Sequence, residues 1–347
     1  MDYNVKPKIK KQGGLALITV LFIFVLVTML ATSILNRGQR DISQSAATYE
    51  NTQAYLLAIS AEELAKAGLA FDAQRDKKSN EPWDTSAELW NQVFATQIEG
   101  YNVKISIRDL QGLFNLNSLH PAAPSPQDGL ARFQRLLGSL ALDASIATNL
   151  KEWFTEGSAA NYEYNTLEPP YSASEIEMTH PSELLLVKGV TPEAYRTIEP
   201  YIATLPATTL TNINTVLPEV IETWDAGLTL DDAKSLTSKT RPGICAQQRG
   251  TAVYKTVDEW FEATPISSLS DASKNPDSPW KKGDFDTKTE YFSVFVTLEY
   301  NERVVVLESI IKRDLTENFI GTIYRDFSRA PGADDTLVKT MNCGTQA

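Results

Sequence analysis

Few side chains in this sequence stand where they could do chemistry. The two histidines, His120 and His180, each sit beside a proline, and both read as loop residues too isolated for a metal site or a catalytic triad. There is no phosphate-binding glycine loop, no Gly-x-Ser-x-Gly elbow and no cysteine pair at zinc spacing. The pattern argues against an enzyme. One stretch is a candidate for ion chemistry, the acidic loop from Glu152 to Glu175. The cysteines, Cys245 and Cys343, lie 98 positions apart. A bridge between them in an oxidising compartment would contribute on the order of 4 to 5 kcal/mol by loop entropy, and two separate buried thiols are the alternative.

What must position these residues begins at the N-terminus. Leu15 to Leu35 holds 21 residues without a charge, and a helix of that length spans roughly 31 Å, the thickness of a bilayer core. Lys6, Lys8, Lys10 and Lys11 precede it against one acid, Asp2. Such a basic flank holds that end in the cytoplasm and sends the rest of the chain across an inner membrane in a single pass. A conventional cleaved signal fits poorly, because the apolar run is too long and Ala31-Thr32-Ser33 is a loose cleavage site. A plain single-span anchor of an unrelated assembly factor remains as the alternative.

Beyond the anchor, Ile42, Ala46, Tyr49, Leu56, Leu64, Ala67 and Phe71 recur at helical spacing, with Arg40, Asp41, Glu50, Glu62 and Glu63 between them. The pattern predicts that these apolar residues form the face that packs, on one helix of roughly 85 Å from Leu15 to Phe71; a break at Gly38 would divide it into an anchor and a docking helix. A short helix is expected over 85–97. Tyr101, Val103, Ile105 and Ile107 then alternate with polar residues as a half-buried strand does. Amphipathic helical sets follow at Leu130–Leu140 and Ile146–Phe154, then a helix, turn, helix across 181–195 with Gly189 at the turn and Thr191-Pro192 as N-terminal cap, and a last one at Thr229–Ser238. Strand-forming sequence returns near Tyr254, a short helix follows at Val257–Phe261, and a hairpin pairs Phe292–Leu298 with Val304–Ile311. With 347 residues and 42% hydrophobic content, the chain can bury a sizeable core. Its net charge of -12 makes nucleic acid and anionic lipid head groups poor partners.

Lys10-Lys11-Gln12-Gly13-Gly14, running straight into Leu15-Ala16-Leu17-Ile18-Thr19, resembles the leader of type IV pilins and type II secretion pseudopilins. The resemblance implies cleavage by prepilin peptidase after Gly14 and methylation of the new terminus at Leu15; losing four lysines and one aspartate would leave a net charge near -15. That superfamily mostly carries glutamate at the fifth mature position, where this chain has Thr19. The missing acid is typical of the minor pseudopilin protein K family. Asp109-Leu110-Gln111-Gly112-Leu113-Phe114-Asn115-Leu116-Asn117-Ser118-Leu119 resembles that family's "D-x-x-G-x-F-N-L-N-x-L" passage, and Pro200–Pro206 with Thr211–Thr215 continues the pattern in order.

The resemblance implies an α+β fold: a pilin-like long N-terminal helix packed on an antiparallel sheet, interrupted by a large all-α insertion domain. The expected division is a leader (1–14), a transmembrane part (15–35), an amphipathic continuation (36–72), the first part of the pilin-like domain (73–112), the helical insertion (113–250), the second part (251–315) and a polar tail (316–347). It implies a subunit at the tip of the secretion pseudopilus that helps initiate or cap its assembly, with pseudopilins I, J and H as partners and the bulk of the chain periplasmic. The family holds calcium from an "acid-W-x-D-x-D" start; here Glu152 and Trp153 match, but Thr155 and Gly157 stand where aspartates are usual, leaving Glu152, Glu156 and Glu163 as a weakened ligand set or a merely solvated loop. A second reading comes from Glu183–Tyr201, which resembles a helix-hairpin-helix grip on nucleic-acid phosphates and would make the chain an anchored DNA receptor. Lys188 and Arg196 against Glu175, Glu177, Glu183, Glu193 and Glu199 argue against it.

Overall fold

The computed structural model describes residues 13–238, 253–271, 278–301, 303–314, 317 and 319–328. Cys245 and Cys343, the expected disulfide, lie outside the described residues. One helix, α1, runs Gly13–Ser79 and passes through Gly38 without interruption. The chain divides within it into two units, residues 1–57 and 58–347. In the first unit, residues 16–37 are exposed all round.

The face that α1 buries in the second unit is not the face its large apolar residues mark. Leu64 and Phe71 are 54% and 67% exposed, and Ile42, Tyr49 and Leu56 are exposed as well. Ala58, Ala61, Ala65 and Leu69 are buried instead, together with Glu62 and Asp72. The reason is polar: short side chains on that face let the two acids reach arginines on the sheet, a requirement that apolar periodicity does not register.

Five antiparallel strands form that sheet in chain order: β1 (Phe94–Ile98), β2 (Tyr101–Asp109), β3 (Tyr291–Tyr300), β4 (Arg303–Asp314) and β5 (Phe319–Asp326). Tyr101, Val103, Ile105 and Ile107 of β2 are buried as their alternation requires. The helix expected over 85–97 is a 3-10 turn at Leu89–Asn91 followed by β1. Glu99 and Gly100, with φ of 50° and 87°, form the two-residue hairpin turn that pairs Phe94 with Ile105. β5 falls in the stretch expected as polar tail. No strand forms at Tyr254, because its backbone N–H and C=O are both taken by the Asn214 side-chain amide at 3.0 Å.

Between β2 and β3 the chain folds α2 (Pro126–Ser139), α3 (Ser145–Phe154), α4 (Ala160–Asn165), α5 (Pro192–Ile198), α6 (Pro218–Ile221), α7 (Leu230–Thr237), α8 (Val257–Glu262) and α9 (Ile266–Leu269). The segment expected to open a helix at 181 is a 3-10 turn, Pro181–Leu186, capped by His180, whose Nδ1 accepts from Ser182 N–H at 3.2 Å. One apolar core runs from Leu110 through these helices to Tyr291 and Ile310. Inside it Phe114 stacks on Phe133 at 5.2 Å and Trp153 meets Tyr164 edge-on at 5.2 Å. The insertion thus closes a core largely of its own, which meets the strands at Tyr291 and Ile310, while Val103, Ile105, Val294, Val296 and Leu307 of the sheet are buried outside it.

Candidate functional site

Three places in the chain could carry function: the start of α1, the acidic loop after α3, and the point where the insertion leaves and rejoins the sheet. At the first, Gly14 and Leu15 lie in the opening turn of α1. Thr19 donates its hydroxyl to Ala16 O at 2.9 Å, and Thr28 and Thr32 bond back to the preceding turn in the same way. These hydroxyls present no orphan donor to an apolar environment. No carboxylate stands at Thr19 to neutralise a neighbouring amino terminus.

The acidic loop is closed by protein donors. Glu163 is paired with Lys188 Nζ. Glu175 Oε1 accepts from Asn161 Nδ2 at 2.6 Å and from Gly157 N–H at 3.2 Å, while Asn161 Oδ1 accepts from Ala173 N–H at 2.7 Å. Glu152 and Glu156 are exposed. Among the described residues, the carboxylates that converge within 4.8 Å of one another are Asp72, Asp84 and Glu88, not Glu152, Glu156 and Glu163. The ion-ligand set expected from the sequence is not gathered here: the Lys188 ammonium occupies Glu163, and Glu152 and Glu156 do not converge with it. Millimolar calcium is expected to move the melting temperature of the detergent-solubilised chain by less than about 1 °C; a rise of several degrees would show a site assembling on binding.

The Asp72, Asp84 and Glu88 cluster encloses an arginine. Arg313 on β4 is 1% exposed; it pairs with Asp84 and, at 3.4 Å, with Asp72, and donates to Thr289 O at 2.9 Å. More acids than bases meet in this interior. Burial and the neighbouring carboxylates push Asp72 up, Asp76 to about 7 and Glu88 to about 9. A cation there would compete with a guanidinium that already answers two of the acids.

Nearly three helical turns before Asp72 on α1, Glu62 is fully buried and well answered. Arg325 on β5 donates Nε and Nη2 at 2.7 and 2.9 Å, Ser309 donates at 2.7 Å and Thr322 at 2.5 Å. Burial alone would raise its pKa, but these donors outweigh that and hold it at about 2. The stability this confers is present above the ordinary value of 4.5 and is lost as pH falls towards 2. Glu62→Leu should therefore cost on the order of 3 kcal/mol at pH 7 and far less at pH 3, read by urea unfolding.

The third place gathers the two sequence passages quoted for the family resemblance. Asp109 closes β2, and its carboxylate accepts from Thr215 Oγ1, from Thr289 Oγ1 at 2.5 Å, from Gln111 N–H at 2.6 Å and from Asn212 Nδ2 at 3.3 Å. Burial lifts its pKa to about 6 even so. Gln111 donates to Leu210 O at 2.9 Å and accepts from Glu290 N–H at 2.6 Å. Gly112 passes so close to Thr215 that a Cβ would stand 2.5 Å from its carbonyl oxygen. Asn115 and Asn117 then tie the outgoing chain to the returning one through Leu205 and Pro206, and Asn117 also holds Met178. The motif residues are a joint: each buried amide and carboxylate replaces backbone pairing where the chain departs from a strand.

The helix-hairpin-helix reading finds no free cations in this geometry. Lys188 is paired with Glu163 and Arg196 with Glu193 at 3.6 Å, while Glu183 caps the turn by accepting from His180 N–H at 3.0 Å.

A long N-terminal helix on an antiparallel sheet, an apolar exposed first half and a helical insertion clamped at the end of β2 define the class: a membrane-anchored, pilin-like α+β subunit. The family model of type II secretion system protein K matches residues 112–207. The type II secretion system protein K of Klebsiella pneumoniae is 30% identical over 286 residues, covering 77% of this chain and 84% of that one. That of Aeromonas hydrophila is 27% identical across 88% of this chain and 95% of its own length, and that of Pseudomonas aeruginosa 27% identical across 87% and 89%. A chain in the crystal structure of the GspK-GspI-GspJ complex from the type 2 secretion system of enterotoxigenic Escherichia coli superposes with a TM-score of 0.66, 20% identity and coverage of 83% of this chain and 100% of that one. The chain belongs to the type II secretion system protein K family.

Proposed function

We propose that this chain is the minor pseudopilin that starts or caps the type II secretion pseudopilus, acting by assembly and not as an enzyme. Prepilin peptidase cuts after Gly14, Leu15 becomes the methylated terminus, the start of α1 stays in the inner membrane and the body lies in the periplasm. Partners are pseudopilins I, J and H. The solved complex named above contains relatives of the first two, which supports I and J as partners.

The observation that carries this reading is the exposed apolar stripe of α1. Leu64 and Phe71 are large, outward-facing and unneeded by the sheet that the same helix packs on. Thr19 adds the direction: without an acid at the fifth mature position, the subunit cannot pair with the amino terminus of another above it. Leu64→Glu and Phe71→Glu together should leave the melting temperature within about 1 °C of the parent, yet reduce co-purification with pseudopilins I and J and block secretion. Unchanged capture by both partners would refute the assembly role of this face. Mass spectrometry of the mature terminus decides processing separately: methyl-Leu15 supports it and an intact Met1 refutes it.

A further inference from the structure

A cavity of about 100 Å³ opens where the exit from β2, helix α2 and the loops around Thr208 and Gly283 meet; Phe114, Ser118, Gly129, Arg132, Trp224 and Asp284 are among its walls. Three of these walls carry a buried polar atom without a hydrogen-bond partner: Ser118 Oγ, Arg132 Nε and Trp224 Nε1. Arg132 and Trp224 are 8% and 4% exposed. Their two N–H groups can only donate, and a donor buried without an acceptor is left with its desolvation penalty uncompensated.

The groups are held in place for something. Arg132 Nη2 donates to Asp284 Oδ2 at 2.8 Å, and the guanidinium lies 4.1 Å over the Trp224 ring. Arg135, one turn on, donates from Nε to Thr223 O at 2.6 Å and from Nη2 to Trp224 O at 3.1 Å, fixing the tryptophan from behind. Gly129 lets α2 pack directly on the Ser118 turn: a Cβ there would stand 2.5 Å from Ser118 O and 3.0 Å from Ser118 Oγ. The volume is about that of three water molecules, enough for a group of a few heavy atoms.

We propose that this cavity binds a carboxylate, with Arg132 Nε, Trp224 Nε1 and the Ser118 hydroxyl donating to its two oxygens. One carboxylate offers enough lone pairs for all three donors. Arg132, Arg135 and Lys281 around the cavity are matched by Asp128, Asp225 and Asp284, so recognition rests on the three convergent donors and not on surplus charge. The source is either a small free acid or the carboxyl end of a peptide, which share this chemistry.

The full chain in detergent, with its tryptophans labelled at the indole nitrogen, tests the site; Trp224→Phe identifies the Trp224 signal. Sodium acetate should shift that signal saturably, and acetamide should not. Ser118→Ala should weaken the response severalfold and Arg132→Lys tenfold or more, the loss expected for charge-assisted hydrogen bonds. Trialanine acting where trialaninamide does not assigns the source as a chain terminus; acetate alone acting assigns it as a small acid. No saturable shift with any carboxylate, an equal shift with acetamide, or undiminished binding in folded Ser118→Ala would overturn the proposal and leave the cavity to water.

Discussion

Arg313→Leu is expected to be the most damaging single substitution in the folded body, lowering its stability at pH 7.5 by about 3 to 5 kcal/mol. Without the guanidinium, Asp72 and Asp84 are left facing each other and Glu88 within an interior that all three already share uneasily. Against a typical total of about 5 to 15 kcal/mol, the loss is enough to unfold a large fraction of the chain. The defect should shrink on acidification, because carboxylates whose folded pKa is raised are relieved when protonated. Urea unfolding at pH 7.5 and pH 5.5 checks both statements, and a deficit equal at the two values would place the damage elsewhere.

The parent chain should show the same slope in milder form. Asp76 at about 7, Glu88 at about 9 and Asp109 at about 6 all bind protons more tightly folded than unfolded, so stability falls as pH rises from the ordinary carboxylate range through those values. Glu62, at about 2, acts in the opposite sense below 4.5. The stability optimum is therefore expected at about pH 4, within the ordinary carboxylate range.

The second large effect is at Asp109. Asp109→Leu removes the acceptor from two threonine hydroxyls, the Asn212 amide and the Gln111 N–H, all inside the joint, and should cost about 3 kcal/mol or more. Asp109→Asn, which keeps one acceptor oxygen, should cost about 1 kcal/mol and flatten the pH dependence between about 4 and 6. Because the joint connects the insertion to the sheet, protease cleavage within the insertion should accelerate in the leucine variant before the sheet itself unfolds. Simultaneous loss of both would show that the joint does not separate them.

Much of this was legible in the residues. The uncharged run after Gly14, the alternation in β2 and the β3–β4 hairpin announce themselves through period and length. β1 escaped because Phe94–Ile98 is an edge strand exposed on both faces, leaving no periodic signal; the one clue was the two-residue turn at Glu99-Gly100. β5 is also an edge strand but only half-buried on one face, and its polar residues Thr322 and Arg325 face the buried Glu62, so its apolar pattern is weak. On α1 hydrophobic size and burial part company: Ala58, Ala61 and Ala65 go in while Leu64 and Phe71 stay out. The Arg313 cluster joins residues more than 200 positions apart, and no local pattern records such a meeting. Asp109, Gly112, Asn115 and Asn117 could be singled out by resemblance, but what they grip required coordinates.

The joint has a consequence for how this chain can change. Asp109 at the end of β2 stands opposite Phe292 in β3, so the whole helical excursion begins and ends on neighbouring rungs of one ladder. To the sheet, that excursion is a hairpin connection, and the entropy of closing such a connection grows only with the logarithm of its length. The cargo hung on those two rungs can lengthen, shorten or be exchanged at little cost to the strands beneath, provided the knot at Asp109 is retied.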